Sequence, residues 1–235
     1  MPTMTDSVID DFEIALPSRT WSRERLVNGF AKWSQFLVWP LVYVLFLFTF
    51  KITVRGRENF DKVDRPFLIV ANHVDFYHSF LFRLILGPWT PHLPLRFMAV
   101  RSFDWRFLKI LASLGIIDFV YSLFGVFTVV PGLGLDRNLA KAREIIGEGG
   151  NIVIYPEGKI NPYGGVAPFK KGAATLARET NVEIMPVSFR PITAGWFRKN
   201  IEVNIGRPFQ VSRTSSVSEI TEDLHDRIEG LYWRR

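Results

Sequence analysis

The sequence predicts an α/β domain: a mostly parallel sheet flanked by helices. Three observations carry that expectation. Short apolar runs rich in β-branched and aromatic residues recur along the chain, and amphipathic stretches of helical period stand between them. Several apolar runs also end in polar turns, as strands do when both faces of their sheet are covered. No repeat, low-complexity stretch or linker interrupts this alternation. Residues 51–235 are therefore expected to form one domain, and residues 1–50 a tail and a membrane-associated helical segment.

Residues 1–20 are polar and mixed in charge, which suits a loose tail. From Trp33 to Phe50 the run WSQFLVWPLVYVLFLFTF carries no charge, and Lys32 and Lys51 bracket it. That length sits at the lower edge of what spans a bilayer as a helix. Trp33 and Trp39 suit the headgroup level, while Pro40 would bend a helix, so a membrane-embedded helix or a bent re-entrant hairpin is expected. The run starts too late for a signal peptide and lacks a small-residue cleavage site.

KITVRG alternates like a strand, and RPFLIVANH is a short β run ending in a polar turn. A helix should follow Asp75 and stop at Gly87-Pro88. LRFMAV reads as a strand, and the nearly all-apolar segment from Ser102 to Val130 as a helix lying on or near the membrane and then the strand GVFTVV; a second transmembrane span there would set Asp118 at a costly depth. Arg137–Glu148 is an amphipathic helix ended by two glycines, and NIVIYPEG is a strand running into a loop. GAATLARET is helical, and VEIMPVSF and IEVNIGRPF are strands. The last helix opens on a Ser216-x-x-Glu219 capping box and carries Ile220, Leu224, Ile228 and Leu231 on one stripe.

With 48% hydrophobic residues and a net charge of +6, the chain is both greasy and basic, the profile of a protein seated on an anionic membrane. Its Lys and Arg are dispersed rather than clustered with stacking aromatics, so nucleic acid is not an expected partner. The lack of cysteine excludes disulfides, thiolate metal sites and a cysteine nucleophile. No glycine fingerprint or convincing metal-ligand spacing occurs, and neither cofactor nor metal is expected.

In open α/β sheets, ligands bind beyond the carboxyl ends of the strands. There the sequence offers Asn72, His73, Asp75 and His78 after one strand, and Glu157, Gly158, Lys159, Lys170 and Lys171 after another. The blocks NHVDFYH, GVFTVV, YPEGKINPYGGVAPFKKGAATLA and IMPVSF, in that order and spacing, resemble the glycerolipid acyltransferases, the lysophosphatidic acid acyltransferase group. The resemblance runs from about Lys51 to about Glu229. It implies a glycerol-3-phosphate acyltransferase-like fold, membrane lipids around it, and transfer of a fatty acyl group to a lysolipid hydroxyl. The donor would be acyl-CoA or acyl carrier protein, and the place the cytoplasmic face of the cell membrane. It further implies that a histidine is the general base, held by a carboxylate, and that residues around Asn72, Glu157, Gly158, Lys159, Lys170 and Lys171 hold substrate.

Three places depart from the family. Its first block is N-H-x-x-x-x-D, commonly with serine two residues after the histidine; here Asp75 takes the serine place and His78 the aspartate place. Pro131 and Ile160 stand where two phosphate-binding arginines belong, which weakens lysophosphatidic acid as acceptor more than acyl transfer itself. Three readings follow for the first block. Asp75 reaches back to orient His73; or His78 is the base with Asp75 holding it from one helical turn away; or the dyad is dead and Asp75 only caps the helix. The last would make the chain an inactive acyltransferase-like protein that binds lipid or acyl-CoA.

Overall fold

A computed structural model describes residues 18–75, 77–87, 89–100, 121, 124–130, 132–194 and 199–234. The helix expected between Ser102 and the strand GVFTVV falls almost wholly outside them, and Pro131 and residues 1–17 lie outside them as well.

The elements follow the predicted alternation. Helix α1 (Ser18–Thr49) leads into β1 (Phe50–Arg55), a 3-10 turn (Arg57–Lys62), β2 (Phe67–Ala71), α2 (His78–Leu86) and β3 (Leu95–Val100). After the undescribed stretch come β4 (Val126–Val129), α3 (Leu135–Gly147), β5 (Asn151–Ile154) and α4 (Gly172–Thr180). The chain closes with β6 (Glu183–Ala194), β7 (Lys199–Ile205) and α5 (Val217–Trp233). The strands form one sheet in the order β1-β7-β6-β2-β5-β3-β4. Every neighbouring pair is parallel except the hairpin of β6 with β7.

The central strand shows why the sheet is covered on both faces. In β2, FLIVA, no residue is exposed. Successive side chains point to opposite faces: Phe67, Ile69 and Ala71 enter one core with α2 and Phe46 of α1. Leu68 and Val70 enter the other, with α3, α4 and α5. A run apolar at every position is what such a strand requires, whereas a half-exposed strand would alternate. The final helix starts as predicted, with Ser216 Oγ accepting from Glu219 N at 3.2 Å and Glu219 returning the bond to Ser216 N at 2.7 Å. Ile220, Leu224 and Ile228 are buried along it, but the stripe ends on Tyr232 rather than Leu231.

Helix α1 differs from one of the two expectations. It runs unbroken through Pro40, so no re-entrant hairpin forms. Proline removes one N–H from the helix ladder without ending a helix that packing holds elsewhere. The packing is polar as well as apolar. Gln35, buried on the inner face, donates through Nε2 to Leu95 O (2.8 Å) and Phe124 O (3.0 Å) and accepts from Leu95 N (3.2 Å). Arg83 of α2 donates to Gln35 O, and Arg96 of β3 donates to Asn28 Oδ1 at 2.5 Å. Gly125 makes this approach feasible: a Cβ there would lie 2.7 Å from Leu95 O, and its φ of 75° is in the left-handed region.

The outer face of α1 is apolar. Leu26, Phe30, Trp33, Leu37, Leu41, Val44 and Phe48 are 52–72% exposed. At 3.6 residues per turn they fall within a sector of roughly 80°, running about 33 Å along the helix. Among the described residues, no helix is long and apolar enough to cross a membrane.

Candidate active site

The carboxyl ends of β2, β5 and β6 converge on one loop. Asn72 ends β2 with its side chain fully buried. Its Oδ1 accepts from Phe189 N at 2.7 Å, and its Nδ2 donates to Phe189 O at 3.0 Å and Gly165 O at 3.3 Å. The sequence placed Asn72 among the residues expected to hold substrate. Its amide is spent on backbone, clipping the β2 end to β6 and to the loop after β5.

His73 is held by its own backbone. Its N–H donates to Glu157 Oε1 at 3.2 Å, and its carbonyl accepts from Asn161 N at 2.7 Å. The ring is half-buried and lies on Tyr155, with centroids 4.1 Å apart and planes 17° off parallel. The Tyr155 hydroxyl is 3.1 Å from Ser79 Oγ in the first turn of α2. His73 Nδ1 is buried without a hydrogen-bond partner. Burial lowers the imidazole to about 4, with the charge of Asp75 opposing the shift.

Asp75 does not reach His73, so the expected hydrogen bond between them is absent. The carboxylate turns outward to the Tyr77 hydroxyl and to Lys199 Nζ at 4.0 Å. Lys199 also sits over the Tyr77 ring, 5.3 Å from its centroid. Ahead of α2, the Asp75 carbonyl accepts from His78 N at 3.4 Å.

His78 occupies the place of the family aspartate, with its ring centroid 6.4 Å from that of His73. It is 1% exposed, stacked on Phe189 at 4.3 Å, and its Nδ1 accepts from Val74 N at 3.3 Å. That bond assigns the proton to Nε2, so His78 in this tautomer is a donor where the family pattern has an acceptor. Burial, then the nearby His73, lower it to about 3.

Glu157 is buried under the His73 amide, and burial pushes its carboxyl up to about 7 against the pull of the His73 and Ala167 amides and of His225. Gly158 turns at φ 70°, and a Cβ there would meet Lys170 Nζ at 2.5 Å, so the Lys170 side chain lies across it. Lys170 N donates to Pro156 O, closing the loop at 2.8 Å. Lys159 and Lys171 are exposed, the latter just ahead of α4. The structure thus brings Lys170 onto the loop and leaves the other two lysines at its rim. A cleft of about 780 Å³ lined by Arg57, Asp61, Asp64, Trp89 and His92 lies at the amino ends of β2 and β3, away from this chemistry.

Two residues here carry no signal that sequence reading used. Tyr155 directly precedes Pro156-Glu157, and an aromatic at that spot was a usable hint. Lys199 gave none, because only the antiparallel return of β7 beside β6 brings it to Asp75.

The family model described as Acyltransferase matches residues 51–190. A 1-acyl-sn-glycerol-3-phosphate acyltransferase of Borreliella burgdorferi is 30% identical over 69% of this chain and 60% of its own length. The enzyme of that name from Pseudomonas aeruginosa is 24% identical over 74% of this chain and 64% of its own length. A chloroplastic relative from Brassica napus is 26% identical over 66% of this chain. The chain spans about two fifths of that plant protein (40%) and less than two thirds of the two bacterial ones. Among solved structures, the 1-acyl-sn-glycerophosphate acyltransferase PlsC of Thermotoga maritima matches with a TM-score of 0.54 at 22% identity, over 94% of this chain and 86% of its own, a likeness of fold. With the family pattern matched across the sheet and both loops of the site, the chain belongs to the acyltransferase family.

Proposed function

We propose that the protein is a membrane-bound acyltransferase moving a fatty acyl group from acyl-CoA or acyl carrier protein to the hydroxyl of a lysophospholipid or related lipid. The observation that carries this reading is His73. It stands at the carboxyl edge of the sheet, fixed through both backbone groups, inside the family's matched segment. A lipid hydroxyl is a poor nucleophile at neutral pH, and a positioned imidazole takes its proton as attack occurs. The hydroxyl oxygen bonds to the thioester carbon, the C–S bond breaks, and the imidazolium returns the proton to the leaving thiolate. No covalent enzyme intermediate is needed. Gly158, Lys159, Lys170 and Lys171 border the space where phosphates of donor or acceptor would lie, and Glu157 braces the loop.

Purified protein given labelled acyl donor and a panel of lysolipids is expected to yield acylated product. Donor binding without product across the whole panel would instead support the inactive, lipid-binding alternative. With Ile160 and Pro131 in the arginine places, activity on lysophosphatidic acid should trail that on an acceptor lacking a phosphomonoester. Ile160, exposed at the loop, accepts a longer side chain, and Ile160→Arg should raise lysophosphatidic acid turnover about tenfold through a bidentate contact. A wild-type preference for lysophosphatidic acid would overturn this specificity.

The exposed stripe of α1 is read as the membrane seat, lying in the plane of the interface on the cytoplasmic face, where acyl thioesters are available. The full chain is expected to stay on anionic vesicles through a high-salt wash. Leu37→Glu with Leu41→Glu should release it by about tenfold or more, since each leucine contributes roughly 1.5–3 kcal/mol when buried in lipid. Unchanged sedimentation of the double variant would refute the assignment.

A further inference from the structure

His73, read as the general base, has no carboxylate bonded to its ring to hold it and balance its charge, and the group that touches the ring lies outside the first block. A carboxylate beneath a catalytic imidazole fixes the ring's orientation and stabilises the imidazolium formed as the proton transfers. Asp75 does neither by contact, since His73 Nδ1 has no partner and the carboxylate faces Tyr77 and Lys199. His78, in the aspartate place, is neutral and commits Nδ1 to Val74 N. What touches the His73 ring is the face of Tyr155, nearly parallel at 4.1 Å.

We infer that Tyr155 is the positioning residue for His73, orienting the imidazole by stacking and stabilising the imidazolium through its π face in place of the missing carboxylate. The inference rests on the reading of His73 as the base. An aromatic face attracts a cation within about 6 Å of its centroid, and the attraction strengthens where water is excluded. A neutral imidazole gains little from that quadrupole, whereas an imidazolium gains more, so the effect is differential and favours the proton-transfer step. Tyr155 is itself locked. It sits at the end of β5, a buried strand, and its hydroxyl bonds Ser79 at the start of α2. Burial pushes the phenol further up, keeping the ring neutral wherever the enzyme works. The Tyr155–Ser79 bond spans the two loops that carry the chemistry, whereas the stacked face that phenylalanine keeps is what holds the His73 ring.

The test replaces Tyr155 with phenylalanine and then with mono-, di- and trifluorinated phenylalanines, which keep the shape and weaken the π face stepwise. Two readouts are followed: acyl transfer, and the proton titration of His73 by NMR. Tyr155→Phe is expected to stay within about threefold of wild type. Across the fluorinated series the rate should fall progressively, by about 3- to 30-fold in all, and the His73 titration should move to lower pH in step. A purely structural role would move neither among isosteric rings. A flat rate and an unmoved titration across the series overturn the inference, as does a Tyr155→Phe loss equal to that of Tyr155→Leu, which would shift the role to the Ser79 bond. His73→Ala separates the two claims. If it keeps full activity, the base assignment fails, whereas a dead His73→Ala with a flat fluorinated series removes Tyr155 alone.

Discussion

His73→Ala is expected to lower acyl transfer by about 10²-fold or more while leaving donor binding largely intact. The imidazole is the single titratable group of the first block that is neither saturated by neighbours nor turned away from the sheet edge. Its lowered value of about 4 sets the pH dependence. Under the proposed role the imidazole is neutral above roughly pH 5, so kcat/KM should show no His73 step in the ordinary histidine range near 6.5, and a step near 7 would belong to Glu157, which burial pushes up to about 7. Asp75→Asn should be mild, because Asp75 contacts Tyr77 and Lys199 instead of the ring. His78→Ala needs assay at matched folding, since it empties a buried site against Phe189. Full activity of His73→Ala, or a steep loss with Asp75→Asn, would contradict the arrangement described.

The second large effect concerns stability. Gln35→Leu should destabilise the protein by about 3 kcal/mol or more, because Leu95 N, Leu95 O and Phe124 O would lose their side-chain partner together. For a chain of this size that corresponds to a Tm lower by roughly 6–12 °C. Gln35→Glu should fall between, keeping an acceptor for Leu95 N and losing the donors. Thermal unfolding of both in the same detergent or lipid decides it; an unchanged Tm for Gln35→Leu would mean that backbone relaxation or water satisfies these groups.

The fold was legible where local chemistry decides it. The period-2 and helical stretches, the capping box at Ser216 and the apolar β2 each specify themselves, and the mostly parallel sheet follows from their alternation. Strand order was not legible, since it depends on long-range packing, and with it went Lys199 beside Asp75. The site was legible as a set of loops but not as a set of contacts. Asp75 lies two residues from His73, yet the direction of a short side chain in a loop depends on its surroundings, here Tyr77 and Lys199. Asn72 is a polar residue whose bonds to the β6 backbone at Phe189 could not be read from the sequence. Pro40 left a re-entrant hairpin open as an alternative, and α1 instead continues through it.

The clamp around Gln35 has a practical meaning for anyone who wants this protein in water. Trimming the greasy leader is the usual route to a soluble version of an anchored enzyme, and that route is closed, because the same helix forms an inner wall of the body. Under the proposed membrane seat, its outer side meets lipid while its inner side packs on the protein. A soluble variant would therefore be made by recolouring the outward positions, Leu26, Phe30, Trp33, Leu37, Leu41, Val44 and Phe48, while leaving Asn28, Ala31, Gln35 and Phe46 untouched. Crystallisation and spectroscopy could then proceed without detergent, on a molecule that keeps its full architecture.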